Sequence, residues 1–260
     1  MIDIGANLTH ESFGADLAAV LERAWQAGIE AIVVTGSSLD STRGACELAR
    51  AHPGRLHATA GLHPHHASEW SDAHAAALSE LAGRPEVAAI GECGLDYFRD
   101  YSPRADQRRA FVAQLELAVA ANKPAFLHQR DAHADFLPIL REHRSRLSAA
   151  VVHCFTDTRA ALDDYLALDC HIGITGWICD ERRGRQLFEQ ARHIPANRLL
   201  LETDAPYLLP RTITPRPRDR RNEPAHLRWV VRAVAQARGE DPQAVARQTA
   251  ANARCFFRLE

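Results

Sequence analysis

Short apolar runs rich in β-branched residues alternate along this chain with longer segments of helical periodicity. This alternation is typical of βα units, in which a buried parallel strand is followed by a helix that covers it. We count eight such units, and eight consecutive units favour an α/β fold of the (β/α)8 TIM-barrel type. The predicted strands span residues 2–7, 30–35, 56–61, 87–91, 125–128, 150–153, 170–175 and 199–203.

Helix boundary signals agree with these units. Gly28 follows the first amphipathic segment, and Pro103 can begin the fourth helix. A last helix is expected from Pro242 to about Asn252. Because α/β barrels commonly occupy this length as one domain, residues 1–260 are expected to form a single domain.

Composition argues against several functional classes. Hydrophobic residues make up 46% of the chain and charged residues 25%, which is ordinary for a globular protein. A formal net charge of −2 argues against coating nucleic acid by bulk electrostatics, so any such contact must be local. The six cysteines form no CxxC pair, and neither a signal peptide nor a membrane-spanning apolar stretch is visible. We therefore expect a cytoplasmic monomer without membrane segments.

Four predicted strands end in a residue that can bind a divalent cation: Glu92 in AIGECGLD, His128 in FLHQRD, His153 in VVHCF and Asp204 in LLLETDAPY. Catalytic residues of a parallel barrel come from the C-terminal ends of several strands, so these side chains are expected to converge. Any one of them alone is more commonly an ordinary polar residue at a strand end. Four at equivalent positions favour a metal centre with mixed imidazole and carboxylate ligands.

Neighbouring residues are assigned by strand alternation. Glu202 lies two residues before Asp204 and should face the same side, so one carboxylate can bind metal while the other orients water, with the larger catalytic share for Asp204. Cys93, Gln129 and Cys154 directly follow the ligands and should point towards the helix layer. This orientation argues against Cys154 as a nucleophile.

Loops beyond the strands add candidate substrate contacts. His63 and His65 flank Pro64 in GLHPHH, where an imidazole could contact the scissile phosphate or the leaving group. We assign the catalytic role to His63 and a substrate-binding role to His65. Arg130 and Asp96 lie in loops where phosphate binding and simple helix capping are equally compatible with the sequence.

An arginine-rich loop, residues 210–224, follows the eighth predicted strand. Its arginines, separated by prolines, are Arg211, Arg216, Arg218, Arg220 and Arg221. A charge run is usually a solvated face, but this one adjoins the predicted metal centre, and guanidinium groups bind phosphate well. We expect a polyanion-binding lip that includes Arg211 and Arg221, with Tyr97 and Tyr207 as base-stacking surfaces.

The motifs, in this order, resemble those of the TatD family of metal-dependent deoxyribonucleases: GLHPH, AIGECGLDY, FLHQRDAH, VVHCFT, IGITGW, LLLETDAPYLLP and RNEPAHL. The resemblance spans almost the whole chain, and MIDIGANLT and WICDERRG are closest to bacterial members. It implies an amidohydrolase-like barrel, divalent-metal dependence and a 3′-to-5′ exonuclease that favours single-stranded DNA, with RNA as a further substrate and a role in DNA repair. The family's metal ligands match Glu92, His128, His153 and Asp204, and its conserved loop matches His63 and His65.

The first strand departs from the family pattern. Many members carry a His-x-His pair there that supplies two further ligands, whereas this chain has Gly5, Ala6 and Asn7. We therefore expect one firmly bound ion and at most a second that is weak or recruited with substrate. Fewer imidazoles make the centre richer in oxygen, which favours Mg²⁺, with Mn²⁺ as an alternative, over Zn²⁺.

Two other functions stay open at this point. Water activated by a metal in such a barrel can attack a carbonyl, so ester or amide hydrolysis is an alternative, including deacylation of D-aminoacyl-tRNA. A non-catalytic protein that binds nucleic-acid ends is the other, although retention of four ligands argues against it. Incubation with a labelled single-stranded oligonucleotide, with and without EDTA, distinguishes them from a nuclease.

Overall fold

Each of the eight β-branched runs forms a parallel strand, and the strands pair in the order of the sequence in the computed structural model, which describes residues 1–259. The strands are β1 Ile2–Ala6, β2 Ala31–Val34, β3 Leu56–Ala60, β4 Val87–Asp96, β5 Ala125–Arg130, β6 Ala150–Val152, β7 His171–Ile174 and β8 Leu199–Leu201. Beyond β8 the chain returns to β1, because Asp204 N donates to Gly5 O (2.8 Å) and Asn7 N donates to Ala205 O (2.7 Å). The predicted (β/α)8 TIM barrel is confirmed.

Helices follow the strands and cover the outside of the sheet. They are α1 Leu17–Gln26, α2 Leu39–Ala51, α3 Asp72–Ala82, α4 Arg104–Ala121, α5 His133–Arg144, α6 Arg159–Ala167, α7 Arg185–Gln190, α8 Leu227–Arg238 and α9 Pro242–Phe257. Gly28 adopts a φ of 83° just after α1, as its position predicted. Among residues 1–259, no helix has the length and apolar character that crossing a bilayer requires.

The last helix is longer than expected and closes one end of the barrel. The prediction that it ends near Asn252 is wrong, because the helix continues to Phe257. Asn252 lies inside it and donates to Ala196 O and Leu199 O, while Phe256 and Phe257 are buried against the barrel interior. These rings pack with apolar strand residues such as Ile4 and Phe126, so the N-terminal ends of the strands are sealed by apolar contacts.

Strand β4 differs most from its predicted bounds, because it extends to Asp96 instead of ending at Gly91. Gly91 and Gly94 have φ values of 137° and 149°, and a Cβ at either would collide with a carbonyl oxygen of β5. The register shifts between Ile90 and Cys93, a local irregularity that turns Glu92 into the barrel mouth. Strand β5 is also longer than predicted, and the other six strands end one or two residues early.

Candidate metal centre

The four predicted ligands line one cavity of about 320 Å³ at the C-terminal ends of the strands, together with His63 and His65. These side chains come from strands and loops that lie far apart in the sequence. The barrel brings them together because all its strands run in parallel and end on one face. The expected convergence is therefore present in the structure.

Three imidazoles surround a single carboxylate oxygen. Glu92 Oε1 lies 2.7 Å from His153 Nε2, 2.8 Å from His128 Nδ1 and 3.3 Å from His63 Nε2. The ligand atoms of His63, Glu92 and His128 all lie within 4.8 Å of one another, which suits a shared cation. His63, predicted to contact the scissile phosphate or the leaving group, is by its position a candidate ligand as well.

The charges of this cluster are strongly coupled. Burial alone would raise the pKa of Glu92, but the imidazoles, His153 and His63 foremost, hold that pKa well below its usual range. Burial also lowers the pKa of His63 to about 4, against the attraction of Glu92, so this imidazole is neutral at pH 7. A neutral imidazole has a free nitrogen lone pair, which is the form that binds metals.

Glu202 lies beneath the cavity and orients its neighbours. It is fully buried, accepts a hydrogen bond from Cys154 N (2.5 Å) and lies 3.4 Å from His153 Nδ1. His153 is thereby placed between two carboxylates, which raise its pKa well above the usual value although burial opposes this. Glu202 acts on the orientation and charge of His153.

Asp204 lies nearer the mouth and faces other carboxylates. Asn7 Nδ2 donates to Asp204 Oδ1 (3.0 Å), and the side chain lines the cavity. Burial, followed by repulsion from Glu92 and Glu202, raises the pKa of Asp204 to about 8, although His153 opposes the shift. Asn7, which the sequence showed only as a lost ligand position, therefore positions a predicted catalytic residue.

The donor set fits a divalent cation. The Nε2 atom of His128 is buried without a hydrogen bond from any residue in 1–259, and Asp96 Oδ2 lies 3.4 Å from it. A cation beside Asp204 would offset the carboxylate repulsion that raises its pKa. Nitrogen and oxygen donors on one cavity wall are the mixture that catalytic divalent ions accept.

Asp96 connects the cluster to the loop after β4. Its Oδ2 lies 2.8 Å from His65 Nε2, while its Oδ1 accepts hydrogen bonds from Phe98 N (3.0 Å) and Arg99 N (2.8 Å). Burial raises the pKa of Asp96, but the imidazole and amide contacts outweigh it and keep the carboxyl ionised. Asp96 therefore caps the turn after β4 instead of a helix and also contacts an imidazole, while phosphate binding by Asp96 stays a prediction.

The three residues that follow the ligands do not share one orientation. Cys93 packs in the core between strands and helices, and Gln129 Nε2 donates to the Tyr165 hydroxyl of α6 (2.8 Å), as alternation predicted. The prediction for Cys154 is wrong, because β6 ends at Val152 and Cys154, at φ 45°, lines the cavity. Burial raises the pKa of this thiol well above its usual value, which argues against a nucleophile.

Two arginines of the arginine-rich loop, Arg211 and Arg221, were expected to bind substrate, but neither lines the cavity. Arg221 is held by Asp16 (2.7 Å) and Glu223 (2.9 Å), is mostly buried and does not line the cavity. Arg211 pairs with Asp180 at 3.0 Å, also outside the cavity lining. The expectation that Arg221 is free to meet a substrate is corrected, because its guanidinium group is already neutralised within the fold.

The aromatic residues at the mouth also differ from the prediction. The Tyr97 hydroxyl donates to Asp135 Oδ2 (2.6 Å) and its ring lies 4.1 Å from the Arg104 guanidinium carbon, so both its edge and one face are engaged. Tyr207 is exposed and lines the cavity, as expected. Phe98, which follows Tyr97 in the sequence and has an exposed ring, was not among the predicted contacts. No sequence signal identifies it, because it lies beyond the end of β4, where strand alternation no longer applies.

An eight-stranded parallel barrel with imidazoles and carboxylates clustered at the strand C-termini defines a metal-dependent hydrolase. A family model described as TatD related DNase matches residues 2–258, and the chain belongs to that family of nucleases. The resemblance drawn from the motifs is thereby confirmed, as are the enzyme class and the dependence on a divalent metal.

Full-length relatives support this assignment. The chain is 55% identical over 259 residues to a 3′-5′ ssDNA/RNA exonuclease TatD from Erwinia billingiae, covering 100% of this chain and 99% of the relative. It is 52% identical to the protein of the same name from Edwardsiella piscicida, with 100% of both covered. The crystal structure of YJJV, a TatD homolog from Escherichia coli, matches with a TM-score of 0.91 at 28% identity, covering 100% of this chain and 98% of that one.

Proposed function

We propose that this chain is a divalent-metal-dependent 3′-to-5′ exonuclease that hydrolyses single-stranded DNA and RNA. The observation that carries the proposal is the convergence of three imidazoles on Glu92 Oε1 at the barrel mouth. The polarity and substrate are supported by the names of full-length relatives at 55% and 52% identity. We further propose that residues 1–260 act as one domain, since a single sheet takes in strands from Ile2 to Leu201.

Each residue of the centre has a distinct role in this proposal. Glu92, His128, His153 and Asp204, joined by His63, would hold the ion. When bound, the ion supplies Lewis-acid polarisation of the phosphoryl group and a lower pKa for water. Asn7 holds Asp204 Oδ1 and fixes the orientation of this carboxyl, which would face the ion and, once a cation has lowered its pKa, would orient the attacking water. Glu202 contributes by positioning His153.

The substrate contacts are proposed for residues around the cavity. His65 lines it and is held by Asp96, so its ring is oriented towards the mouth. We assign Arg130, the last residue of β5, to a phosphate of the strand, because a guanidinium group binds phosphate well. Arg211 would act only if a substrate displaced Asp180 from it. We do not propose Tyr97 and Arg221 as substrate contacts, because their side chains are bound to Asp135 and Asp16.

We propose Mg²⁺ as the working ion, with Mn²⁺ able to replace it. The carboxylates of Glu92 and Asp204 support a hard cation, while the imidazoles of His63 and His128 suit Mn²⁺. Titration of the metal-free enzyme with Mg²⁺, Mn²⁺ and Zn²⁺ tests the order. Zn²⁺ as the most effective ion would overturn it.

A labelled oligonucleotide tests the activity directly. A single strand labelled at its 5′ end should give a ladder of labelled products that shortens with time, and EDTA should abolish it. Glu92→Gln should lower the rate by about 100-fold or more, because it removes a charge on which the cluster depends. Glu189→Gln, on the exposed face of α7, is the matched control. Wild-type enzyme that leaves the strand intact with Mg²⁺ and Mn²⁺ would refute the proposal.

We also propose a cytoplasmic setting in nucleic-acid repair and turnover. All six cysteines lie within the described residues and are free, which suits a reducing compartment. Fractionation of cells that express the tagged chain tests the location. Sensitivity of a deletion strain to DNA-damaging agents tests the role.

A further inference from the structure

The barrel mouth carries an unusual concentration of exposed aromatic rings. Among residues 1–259, four large hydrophobic side chains are exposed, and three of them are aromatic: Phe98 (57%), Tyr101 (67%) and Tyr207 (51%). Tyr101 packs against His65 at 4.7 Å between ring centroids, and Tyr207 lines the cavity itself. Exposed apolar groups that collect at one site mark a binding surface.

One of these rings belongs to a continuous strip. The guanidinium carbon of Arg130 lies 5.0 Å from the Phe98 ring centroid and 5.5 Å from that of Trp177. The guanidinium carbon of Arg99 lies 5.6 Å from the same Phe98 ring, which still keeps 57% of its surface exposed to a base. Phe98 follows β4, Arg130 ends β5 and Trp177 lies in the short turn Gly176–Cys179 after β7. We call Phe98, Arg130 and Trp177 the aromatic strip.

The strip is attached to the metal centre through Asp96. One oxygen of this carboxylate contacts His65, and the other accepts hydrogen bonds from Phe98 N and Arg99 N. The turn that carries the Phe98 ring is therefore fixed relative to the imidazole cluster. A nucleic-acid strand that ran from the cavity over this turn would meet the Phe98 ring and then the Arg130 guanidinium group.

The charge of the molecule limits what else could supply affinity. The net charge is −2, and two arginines of the loop after β8, Arg211 and Arg221, are paired with carboxylates. Diffuse electrostatic attraction for a polyanion is correspondingly weak. Stacking of bases on aromatic rings is the other common source of affinity for unpaired strands, and it tolerates any sequence.

We propose that the aromatic strip binds the unpaired nucleotides next to the scissile bond, with a base stacked on Phe98 and a phosphate on Arg130. This inference rests on the proposed exonuclease function and adds the surface that selects its substrate. Bases in a duplex are stacked on their neighbours, so their faces are not available to Phe98. The strip thus favours single strands without reading their sequence.

Binding of a fluorescent oligonucleotide in EDTA, where no cutting occurs, tests the strip. Phe98→Ala should weaken binding by about 10-fold, in the range found when a stacking residue is removed. Phe98→Trp should restore binding, because it restores the ring. Val112→Ala removes the fourth exposed apolar side chain, on α4, and should change nothing.

A strand of the same length that lacks its bases provides the decisive comparison. Wild-type protein should bind this abasic strand about as weakly as Phe98→Ala binds the normal one, and Phe98→Ala should weaken abasic binding no further. Equal wild-type affinity for both strands, or an equal loss by Phe98→Ala on both, would overturn the inference. Circular dichroism establishes that each variant is folded.

The two proposals fail in different ways. If no strand is cut with any metal but Phe98→Ala still loses base-dependent binding, the exonuclease proposal fails and the strip stands. If the enzyme cuts single strands and Phe98→Ala leaves both binding and KM unchanged, the strip fails alone. A raised KM with an unchanged kcat is the kinetic result expected of the strip.

Discussion

His63 lies where we propose two roles for its imidazole, as a metal ligand or as a contact to the leaving group. Its Nε2 lies 3.3 Å from Glu92 Oε1, and its ring packs at 4.5 Å from His128 and at 4.2 Å from His65. Burial keeps it neutral at pH 7, so the imidazole carries no charge that would repel a cation in the neutral range. A ligand and a leaving-group contact predict different kinetic defects.

His63→Ala is expected to raise the concentration of Mg²⁺ that gives half-maximal activity by about 10-fold or more, since a ligand nitrogen is lost. His193→Ala, an exposed imidazole that does not line the cavity, is the matched control. Metal titration of initial rates measures both. A lower kcat with an unchanged metal requirement would assign His63 to the leaving group alone.

Asp3 gives the fold a pH dependence of its own. This buried carboxyl accepts hydrogen bonds from Thr203 N (2.9 Å) and Thr203 Oγ1 (2.5 Å), yet burial outweighs them and raises its pKa from 3.8 to about 7. A raised folded-state pKa means that the native state retains the proton more strongly than the unfolded chain does. The contribution of protonated Asp3 to the free energy of unfolding is fully present below pH 3.8 and is lost as the pH rises through about 7.

Asp3→Asn should remove this dependence. The free energy of unfolding of the wild type minus that of the variant is expected to fall between pH 5 and pH 8, since only the wild type must bury a charge at the higher pH. Urea denaturation at both values measures it. A difference that grows with pH would show that the hydrogen bonds from Thr203 dominate over burial.

At the scale of elements, α1 and the loop after β8 are joined by charged groups. Arg23 and Arg221 both contact Asp16 and Glu223, and Arg221 also packs over the Phe13 ring. Asp16 and Arg23 lie at α1 and Arg221 in the arginine-rich loop, so these pairs fix the loop on the barrel. These ion pairs explain why Arg221 stabilises the fold and is not free to bind substrate.

Arg221→Ala should therefore destabilise the protein by roughly 1–3 kcal/mol, because its charged hydrogen bonds to Asp16 and Glu223 are lost and only Arg23 remains to pair with them, without raising KM for a single strand. Arg130→Ala should do the reverse, raising KM with little loss of stability. Chemical denaturation and steady-state kinetics on both variants separate the two effects. A raised KM in Arg221→Ala that exceeds the effect of Arg130→Ala would return Arg221 to the substrate site.

The elements show how far sequence reasoning extends. All eight strands could be predicted because buried parallel strands are runs of β-branched residues, and the ligand quartet followed from strand ends. The bounds of β4 could not, because they depend on Gly91 and Gly94 meeting the backbone of β5. Cys154 and Arg221 lie beyond the strands, where alternation no longer applies and only tertiary contacts determine direction.

On the scale of the whole molecule, the barrel has two unlike ends. Phe256 and Phe257 seal the N-terminal end with apolar contacts, whereas the C-terminal end gathers Glu92, Glu202 and Asp204. Burial and repulsion from Glu92 and Glu202 raise the pKa of Asp204 to about 8, so ionisation of Asp204 lowers the stability of the metal-free fold. A cation bound beside Asp204 would offset that cost.

Metal should accordingly stabilise the folded chain. At a concentration 100 times Kd, binding to the native state adds about 2.7 kcal/mol, and for a chain of this size the Tm should rise by roughly 5–10 °C. Asp204→Asn should reduce the rise, because the repulsion that the cation relieves is smaller. Differential scanning calorimetry with EDTA and with Mn²⁺ measures both. An equal rise in the variant would exclude Asp204 as a ligand.

The hydrogen bond between Asn7 and Asp204 joins residues 197 positions apart, across the seam where the barrel closes. A chain still being synthesised has its first strand long before its eighth, so the hydrogen bond by which Asn7 orients the Asp204 carboxyl can form only near the end of translation. The cluster at the barrel mouth is therefore complete only when all eight strands have been made.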